Sequence, residues 1–342
     1  MLLAIQIIGA ILIFSILIVV HEFGHFIFAK KFGVIVHEFA IGMGPKLWGK
    51  QKGETLYSIR LFPVGGYCKM EGEDEDSENS RSFTKLSWWK KVICLAAGGV
   101  FNLLLGLLLC VALSSFSQIP VAKVEKTTNP MLKTGDIILS IDGEKIYYQN
   151  DVFMKMSLLQ KTEETRDFNV VVKRDGETEN ITVSAKYSEE YGRYMFGYES
   201  GIEKPAFFNG IKYGFYQFYA GTKATILGIV GLVTGKLSVK QVSGPVGISY
   251  MIGSAVGDAV TTTYGWGNLA SIFLQITIGL GIFNLIPFPA LDGGRICFVL
   301  FSAIARRKIS ATKEGYIHFA GIVVLMSFIL FVTCIDISRF FQ

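Results

Sequence analysis

Four apolar segments in this chain are each long enough to cross a lipid bilayer. They lie near residues 4–29, 92–115, 268–288 and 315–336. A helix needs about 20 apolar residues to span the hydrocarbon core of a bilayer. Only 18% of the residues are charged, against about 25% in an ordinary soluble domain. The sequence therefore predicts a multi-pass α-helical membrane protein in contact with the lipid bilayer.

Basic residues in the short loops indicate the orientation of these segments. Lys30 and Lys31 directly follow the first segment, and Arg306 and Arg307 follow the third. Lysine and arginine accumulate in short cytoplasmic loops, so we expect both termini to lie outside the cytoplasm. No basic stretch precedes the first segment, which is therefore predicted to be retained as an anchor and not removed as a signal peptide. The net charge of +5, without a dense basic run, gives no indication of nucleic-acid binding.

The middle of the chain has a different character. Residues 116–203 include an apolar strand pattern at 135–143 and a hairpin pattern at 168–187 around an Asp-Gly turn. A short helix is predicted between them, from residue 150 to 160. These patterns predict a small α+β domain outside the membrane.

Residues 204–267 are predicted to connect this domain to the third span. Their aromatic and glycine-rich part, 205–236, is interrupted by Lys212 and Lys223. A fifth span is the alternative, but the interruptions favour an amphipathic helix lying on the outer membrane surface.

The motif HEFGH, at residues 21–25, lies inside the first apolar segment. Its two histidines project from one face of a helix and can bind one metal ion, while Glu22 is placed to act on a water molecule. The alternative is that the motif is only the polar end of a span. However, residues 26–29 continue the apolar run, and a charged residue at mid-membrane costs up to about 3 kcal/mol. The motif therefore predicts a zinc site within the membrane.

A catalytic zinc ion takes a third protein ligand and leaves one position open. The best candidate is Asp292 in NLIPFPALDGG (284–294), where Pro287 and Pro289 prevent a regular helix. Irregular backbone at membrane depth is tolerated only where protein or a wet cavity shields it. The alternative is that Asp292 merely caps the following helix. Beside two histidines that lack a third ligand, the sequence favours Asp292 as that ligand.

Together these motifs resemble the site-2 protease family of intramembrane zinc metalloproteases. The resemblance covers nearly the whole chain and is closest to the bacterial branch typified by the regulator of sigma-E protease, with a single PDZ domain. HEFGH matches the family's HExxH, and NLIPFPALDGG matches its NxxPxPxLDG, which supplies the third zinc ligand. Residues near 39–72 resemble its cytoplasmic re-entrant β segment, and residues 119–187, with the motif at 132–146, resemble its PDZ domain. One departure is Gly98-Gly99, where the family usually has Gly-Pro.

The resemblance implies one zinc ion (Zn2+) bound by His21, His25 and Asp292, with Glu22 as the catalytic base. The implied reaction is hydrolysis of a peptide bond within the transmembrane segment of single-span membrane proteins, such as anti-sigma factors or signal-peptide remnants. The residues implied in holding the unwound substrate are Asn102, Asn284, Gly65, Gly66 and Tyr67. His318, in the fourth span, is predicted to bond a neighbouring helix and not the metal. The alternative functions are an inactive membrane PDZ adaptor and a metal transporter.

The implied location is the plasma (inner) membrane of a bacterial cell, with the PDZ-like domain extracytoplasmic and the active site toward the cytoplasm. That domain is expected to contact a peptide or a substrate ectodomain. The predicted organisation has four parts: a first membrane half at 1–115, the PDZ-like domain at 116–203, the connecting region at 204–267 and a second membrane half at 268–342.

Overall fold

The computed structural model describes residues 2–73, 75, 77–116, 118–203, 207–235, 237–239, 242–262, 265–306 and 311–339. The chain forms two compact units. The membrane unit comprises residues 1–109 and 221–342, and the inserted unit comprises Cys110–Ala220. The predicted basic position Arg307 and the predicted helix positions 205, 206 and 236 lie outside the described residues.

Eight helices form in the described residues. They are α1 (Leu2–Lys31), α2 (Trp88–Phe116), α3 (Gln149–Ser157), α4 (Phe207–Val233), α5 (Pro245–Thr261), α6 (Gly265–Leu285), α7 (Asp292–Ala305) and α8 (Ala311–Arg339). Among the described residues, four stretches are long and apolar enough to cross a membrane: Ala4–Lys31, Trp88–Phe116, Trp266–Leu285 and Lys313–Arg339. These are the four predicted segments, and the protein is a multi-pass helical membrane protein. Helix α4 is not among the four stretches.

Helix α1 ends where glycine allows the chain to reverse. Gly33 has φ of +84°, a left-handed conformation that glycine adopts without steric cost. The N–H of Val34 donates to the carbonyl of Ala29 at 2.9 Å, as expected at a helix C-terminus closed by such a residue. The chain then leaves directly into the first β-strand, which keeps that strand beside α1.

A β-hairpin packs against α1. It consists of β1 (Val36–Lys52) and β2 (Thr55–Met70), both of them long and bent. Residues 38–41 pair on both sides: Ala40, for example, is paired with Tyr67 on one side and with Ser58 on the other. Its buried core joins strand and helix residues (Ala29, Val34, Val36, Phe39, Cys68, Met70, Phe83, Cys94 and Leu95). The predicted segment at 39–72 is thus a β structure attached to the first span.

Ion pairs at Glu54 hold the tip of this hairpin. Glu54 accepts hydrogen bonds from Arg81 at 2.8 Å and from Lys30 at 2.5 Å. The Arg81 guanidinium and the Lys30 ammonium lower the pKa of Glu54 to about 2. One carboxylate therefore ties the hairpin to the end of α1 and to the segment that leads into α2.

Helix α2 continues without a break through Gly98 and Gly99. The absence of the Pro usually found there in the resembling family does not interrupt the helix. A Cβ atom on Gly99 would lie 2.9 Å from the carbonyl oxygen of Gly281 and 2.8 Å from Cγ of Leu285. The glycine therefore lets α6 approach the α2 backbone closely.

The inserted unit contains one antiparallel sheet and helix α3. Its strands are β3 (Ile119–Thr127), β4 (Ile137–Ile141), β5 (Glu144–Lys145), β6 (Thr165–Arg174), β7 (Glu177–Ser188), β8 (Arg193–Met195) and β9 (Tyr198–Glu203). They lie in the order β8-β7-β6-β4-β3-β9, with β5 paired to β4. The predicted hairpin at 168–187 is confirmed, because β6 and β7 turn at Asp175 and Gly176, which both have positive φ. The predicted strand and the short helix are confirmed as well.

The core of the inserted unit lies between α3 and the sheet and includes Phe168, Tyr194 and Val183. A buried ion pair closes one side of it, where Arg174 meets Asp136 at 2.8 Å. Burial would raise the pKa of Asp136, but the hydrogen bonds from Arg174 and from the Lys133 amide hold it below its usual value.

Candidate metal centre

Three possible metal ligands converge inside the membrane unit. His21 and His25 lie one turn apart on α1, and Asp292 is the first residue of α7. Oδ2 of Asp292 lies 3.2 Å from Nε2 of His21 and 3.4 Å from Nε2 of His25. The two Nε2 atoms are 3.2 Å apart. Three donor atoms from two distant parts of the chain thus form one small triangle.

The triangle has the size that a zinc ion requires. Zinc binds nitrogen and carboxylate oxygen at about 2.0–2.2 Å, and tetrahedral ligands at that distance are about 3.3–3.5 Å from one another. Oδ2 of Asp292 is buried and has no hydrogen-bond partner among the described residues. A buried carboxylate oxygen without a partner is costly unless a cation satisfies it. The residues present therefore fit a zinc ion.

Both histidines present the same ring nitrogen to this triangle. The Nδ1–H of His25 is held by the carbonyl oxygen of Cys94 at 2.9 Å, and Nδ1 of His21 lies 3.5 Å from the Asn284 side-chain amide. Metal-bound histidines usually bond their second ring nitrogen to a carbonyl or a side chain, which orients the ring. The two Nε2 atoms are left to face Asp292.

Glycines let α2 approach the two histidines. A Cβ atom on Gly98 would lie 2.4 Å from Nε2 of His25 and 2.6 Å from Cε1 of His21. On the other side of the same contact, a Cβ atom on Gly24 of α1 would lie 2.4 Å from the carbonyl oxygen of Ala97 in α2. Sequence reasoning missed this pair, although Gly24 lies within HEFGH itself.

The irregular segment around Pro287 and Pro289, the proline-rich break, leads directly to Asp292 and places it at the site. Leu291, and not Asp292, occupies the N-cap position of α7, and no side chain caps the helix. The alternative that Asp292 serves as the helix cap is therefore wrong. A Cβ atom on Gly293 would lie 2.1 Å from the carbonyl oxygen of Ile286, so the start of α7 is pressed against the break.

Glu22 lies between the histidines and the hairpin. A Cβ atom on Gly66 of β2 would lie 3.8 Å from Cγ of Glu22, and the backbone of Cys68 lies next to the Glu22 carboxylate. Gly66 thus approaches Glu22 through its backbone, and Gly65 and Tyr67 are its chain neighbours. The Tyr67 hydroxyl donates to Glu38 at 2.9 Å within the hairpin.

The two asparagines that the motifs singled out occupy different surroundings. Asn284 contacts His21, as described above. Asn102 is fully buried in α2, and neither its Oδ1 nor its Nδ2 atom has a hydrogen-bond partner among the described residues. Two unsatisfied groups on one buried amide are unusual in a native protein.

Comparison with known proteins identifies a family over most of the chain. The family model described as Peptidase family M50 matches residues 9–328. A protein of Clostridium acetobutylicum named as a zinc metalloprotease is 35% identical over 97% of this chain and 97% of its own length. Another, from Clostridium perfringens, is 37% identical over 97% of this chain and 98% of its own length. A third, from Staphylococcus aureus, is 29% identical over 98% of this chain and 99% of its own.

One solved structure, a PDZ domain of an SdrC-like protein from Listeria monocytogenes, matches 25% of this chain and 87% of its own, with 15% identity and a TM-score of 0.19. A likeness of this size supports no argument about the inserted unit. The family match and the clostridial relatives span nearly the entire chain, its four membrane spans and all three candidate ligands. This chain therefore belongs to peptidase family M50, the site-2 protease family of intramembrane zinc metalloproteases.

Proposed function

We propose that this protease uses one zinc ion held by His21, His25 and Asp292, with Glu22 as the general base, to cut single-span membrane proteins within their spans. The observation that supports this most strongly is the triangle of three donor atoms, 3.2–3.4 Å apart, two of them on the first span and the third at the start of α7. An ordinary ion pair joins one cationic side chain to one carboxylate, whereas here two histidines face the single buried carboxylate of Asp292. Zinc with two neutral histidines and the carboxylates of Asp292 and Glu22 is close to electrically neutral, which lowers the cost of placing the site in lipid.

The depth of the proposed site in the membrane follows from its position along α1. His21 lies about 13 Å from Lys30 along α1, at about 1.5 Å per residue. Because lysines at a span end mark the cytoplasmic interface, the cut is proposed to fall within the hydrocarbon, nearer the cytoplasm. Both termini and the inserted unit are then extracytoplasmic, in the plasma membrane of a bacterial cell.

The chemistry is divided between the ion and the side chains. Zinc supplies a Lewis acid that lowers the pKa of water toward about 7 and polarises a carbonyl. Glu22 takes the proton of the attacking water and passes it to the leaving amine. The carbonyl of Cys94 keeps the His25 ring turned toward Asp292. Of the four proposed site residues (His21, Glu22, His25 and Asp292), Glu22 alone is proposed to move a proton.

A substrate helix must unwind before its carbonyl can react, because all its amides are paired. Within the described hairpin, residues 66–70 pair on one side only, with 36–41, and this segment passes Glu22. An unwound peptide is proposed to add along it as a further strand, using the backbone of Gly65, Gly66 and Tyr67. Asn102 offers one unsatisfied donor and one unsatisfied acceptor, the pattern that a peptide backbone complements. Asn284 is proposed to bind the backbone of the same substrate as well as to contact His21.

The substrate class is proposed from this arrangement. Anti-sigma factors and signal-peptide remnants have a single span of the required kind. The inserted unit is proposed to be PDZ-like and to contact a substrate ectodomain or peptide outside the membrane.

Removing zinc is expected to stop cleavage reversibly. The purified full chain in detergent micelles would be incubated with single-span proteins that carry a tag at each end. Treatment with 1,10-phenanthroline should abolish the cut fragments, and added zinc should restore them. Mass spectrometry of the fragments should place the cut inside the span. Persistent cleavage by zinc-free protein would contradict the metalloprotease, and binding of substrates without any cut would favour the adaptor.

Replacing Asp292 by Asn is expected to weaken zinc binding by at least about 10-fold, because a neutral amide oxygen is a poorer ligand than a carboxylate. The measurement is zinc content after dialysis against a zinc buffer, by atomic absorption. The matched control is Asp258→Asn, which makes the same chemical change at an exposed position on α5. Undiminished zinc in Asp292→Asn would remove Asp292 from the ligand set.

A further inference from the structure

Helix α8 holds the proline-rich break two residues before the proposed third ligand. Nδ1 of His318 accepts a hydrogen bond from the backbone N–H of Ala290 at 3.0 Å. Ala290 lies two residues before Asp292 and has φ of +89°. A residue with a side chain rarely adopts this conformation, and it persists only where the surroundings hold it in place.

The contact is tight because α8 approaches this segment closely. Gly321 lies almost one turn beyond His318, and a Cβ atom on it would be 2.4 Å from the carbonyl oxygen of Pro289. No larger residue permits the same approach. The α8 backbone therefore lies directly against residues 289–290.

His318 itself is held from the other side. Its ring packs edge-on against Phe298 of α7, with the ring centroids 5.4 Å apart. Its Nε2 lies 3.7 Å from Oε1 of Glu314, one turn earlier on α8. The side chain is only 13% exposed. The ring is thus confined between the break, α7 and its own helix, with the acceptor nitrogen directed at Ala290.

We propose that His318 is a positioning residue for the metal centre: it fixes the Ala290 backbone and thereby sets the place of the Asp292 carboxylate. This inference rests on the proposed role of Asp292 as the third zinc ligand. Asp292 must reach both Nε2 atoms at once, at 3.2 and 3.4 Å, and only the backbone of residues 290–291 connects it to the break. His318 acts through that backbone and is not one of the three residues whose donor atoms are grouped at the site among the described residues.

The geometry of the acceptor makes a sharp test available. Asparagine carries its Oδ1 atom near the position of histidine Nδ1, whereas glutamine carries its polar atoms near the position of Nε2. His318→Asn therefore retains the acceptor for Ala290. His318→Gln remains polar but moves the acceptor away, and His318→Leu removes it.

The full-length variants would be purified in detergent and loaded with cobalt, whose visible absorption reports ligand number and geometry, and their zinc affinity would be measured by competition with a chelator. His318→Asn should keep the wild-type cobalt spectrum and a zinc affinity within about 3-fold. His318→Gln and His318→Leu should change the spectrum and lose about 10–100-fold in zinc affinity, the usual effect of removing an outer partner of a metal site. Phe319→Leu, at an adjacent exposed position of α8, should behave as wild type.

The outcomes separate this inference from the proposed function. If the wild type binds neither zinc nor cobalt, the proposed metal site fails. If the wild type binds both, while His318→Gln and His318→Leu match it, the positioning role of His318 is overturned and the zinc site remains. If His318→Asn loses affinity as strongly as His318→Gln, the Nδ1 acceptor is not the active group, and the inference is again overturned. If His318→Leu fails to fold, the comparison of His318→Asn with His318→Gln still tests the inference.

Discussion

Replacing Glu22 by Gln is expected to reduce the rate of peptide-bond hydrolysis by about 10²–10⁴-fold while leaving the bound zinc in place. The substitution keeps the size of the side chain and removes its ability to accept a proton from water. The proposed metal ligands are His21, His25 and Asp292, and each is expected to keep its contacts with the other two. Glu22 lies beside the β2 segment near Gly66 and Cys68, where an unwound substrate is proposed to lie.

The measurement combines initial rates on a tagged single-span substrate with the zinc content of the same purified sample. The control is Glu78→Gln, the same chemical change at an exposed position far along the chain from the metal ligands. Wild-type rates in Glu22→Gln would remove Glu22 as the general base. A joint loss of zinc and activity would instead assign Glu22 a structural part in the metal site.

Replacing Gly98 by Ala is expected to destroy the metal centre, with a fall in zinc affinity of at least about 100-fold and a matching loss of activity. The added methyl group would lie 2.4 Å from Nε2 of His25, the atom that faces the other ligands. It would also lie 2.6 Å from Cε1 of His21. Helix α2 cannot easily move away, since Gly24 brings α1 against the Ala97 carbonyl on the adjoining turn.

The matched control is Gly279→Ala on α6, because a Cβ atom there would meet nothing within 4 Å. Alanine is the better helix former by about 0.5–1 kcal/mol, so this control should fold and bind zinc at least as well as wild type. Zinc content and cobalt absorption of the two variants provide the comparison. Full zinc occupancy in Gly98→Ala would show that α1 and α2 can separate without disturbing the ligands.

Much of this site could be predicted from local sequence patterns. The spans follow from long apolar runs, which need no tertiary information. The two proposed histidine ligands follow from their spacing on a helix, and Asp292 follows from a proline-rich interruption, which is tolerated at membrane depth only where protein or a wet cavity shields it. In each case the physical cause lies within about 20 consecutive residues.

The remaining features depend on where distant segments meet. The requirement for glycine at Gly98 exists only because α2 crosses α1 at HEFGH. The positive φ of Ala290 and its bond to His318 likewise depend on the approach of α8 at Gly321. The sequence predicted that His318 bonds a neighbouring helix, yet its partner is the backbone of the break. Contacts between distant backbones leave no periodic pattern in the sequence.

The proposed division of the zinc ligands between α1 and α7 has a consequence for biosynthesis. His21 and His25 are made early, whereas Asp292 is made only after the inserted unit and three of the four spans. A nascent or truncated chain that stops before Asp292 has two of the three ligands and cannot hold zinc as the finished protein does. Metal binding then joins the beginning of the chain to its last third. A membrane protease assembled in this way gains its hydrolytic activity only after its own insertion is nearly complete.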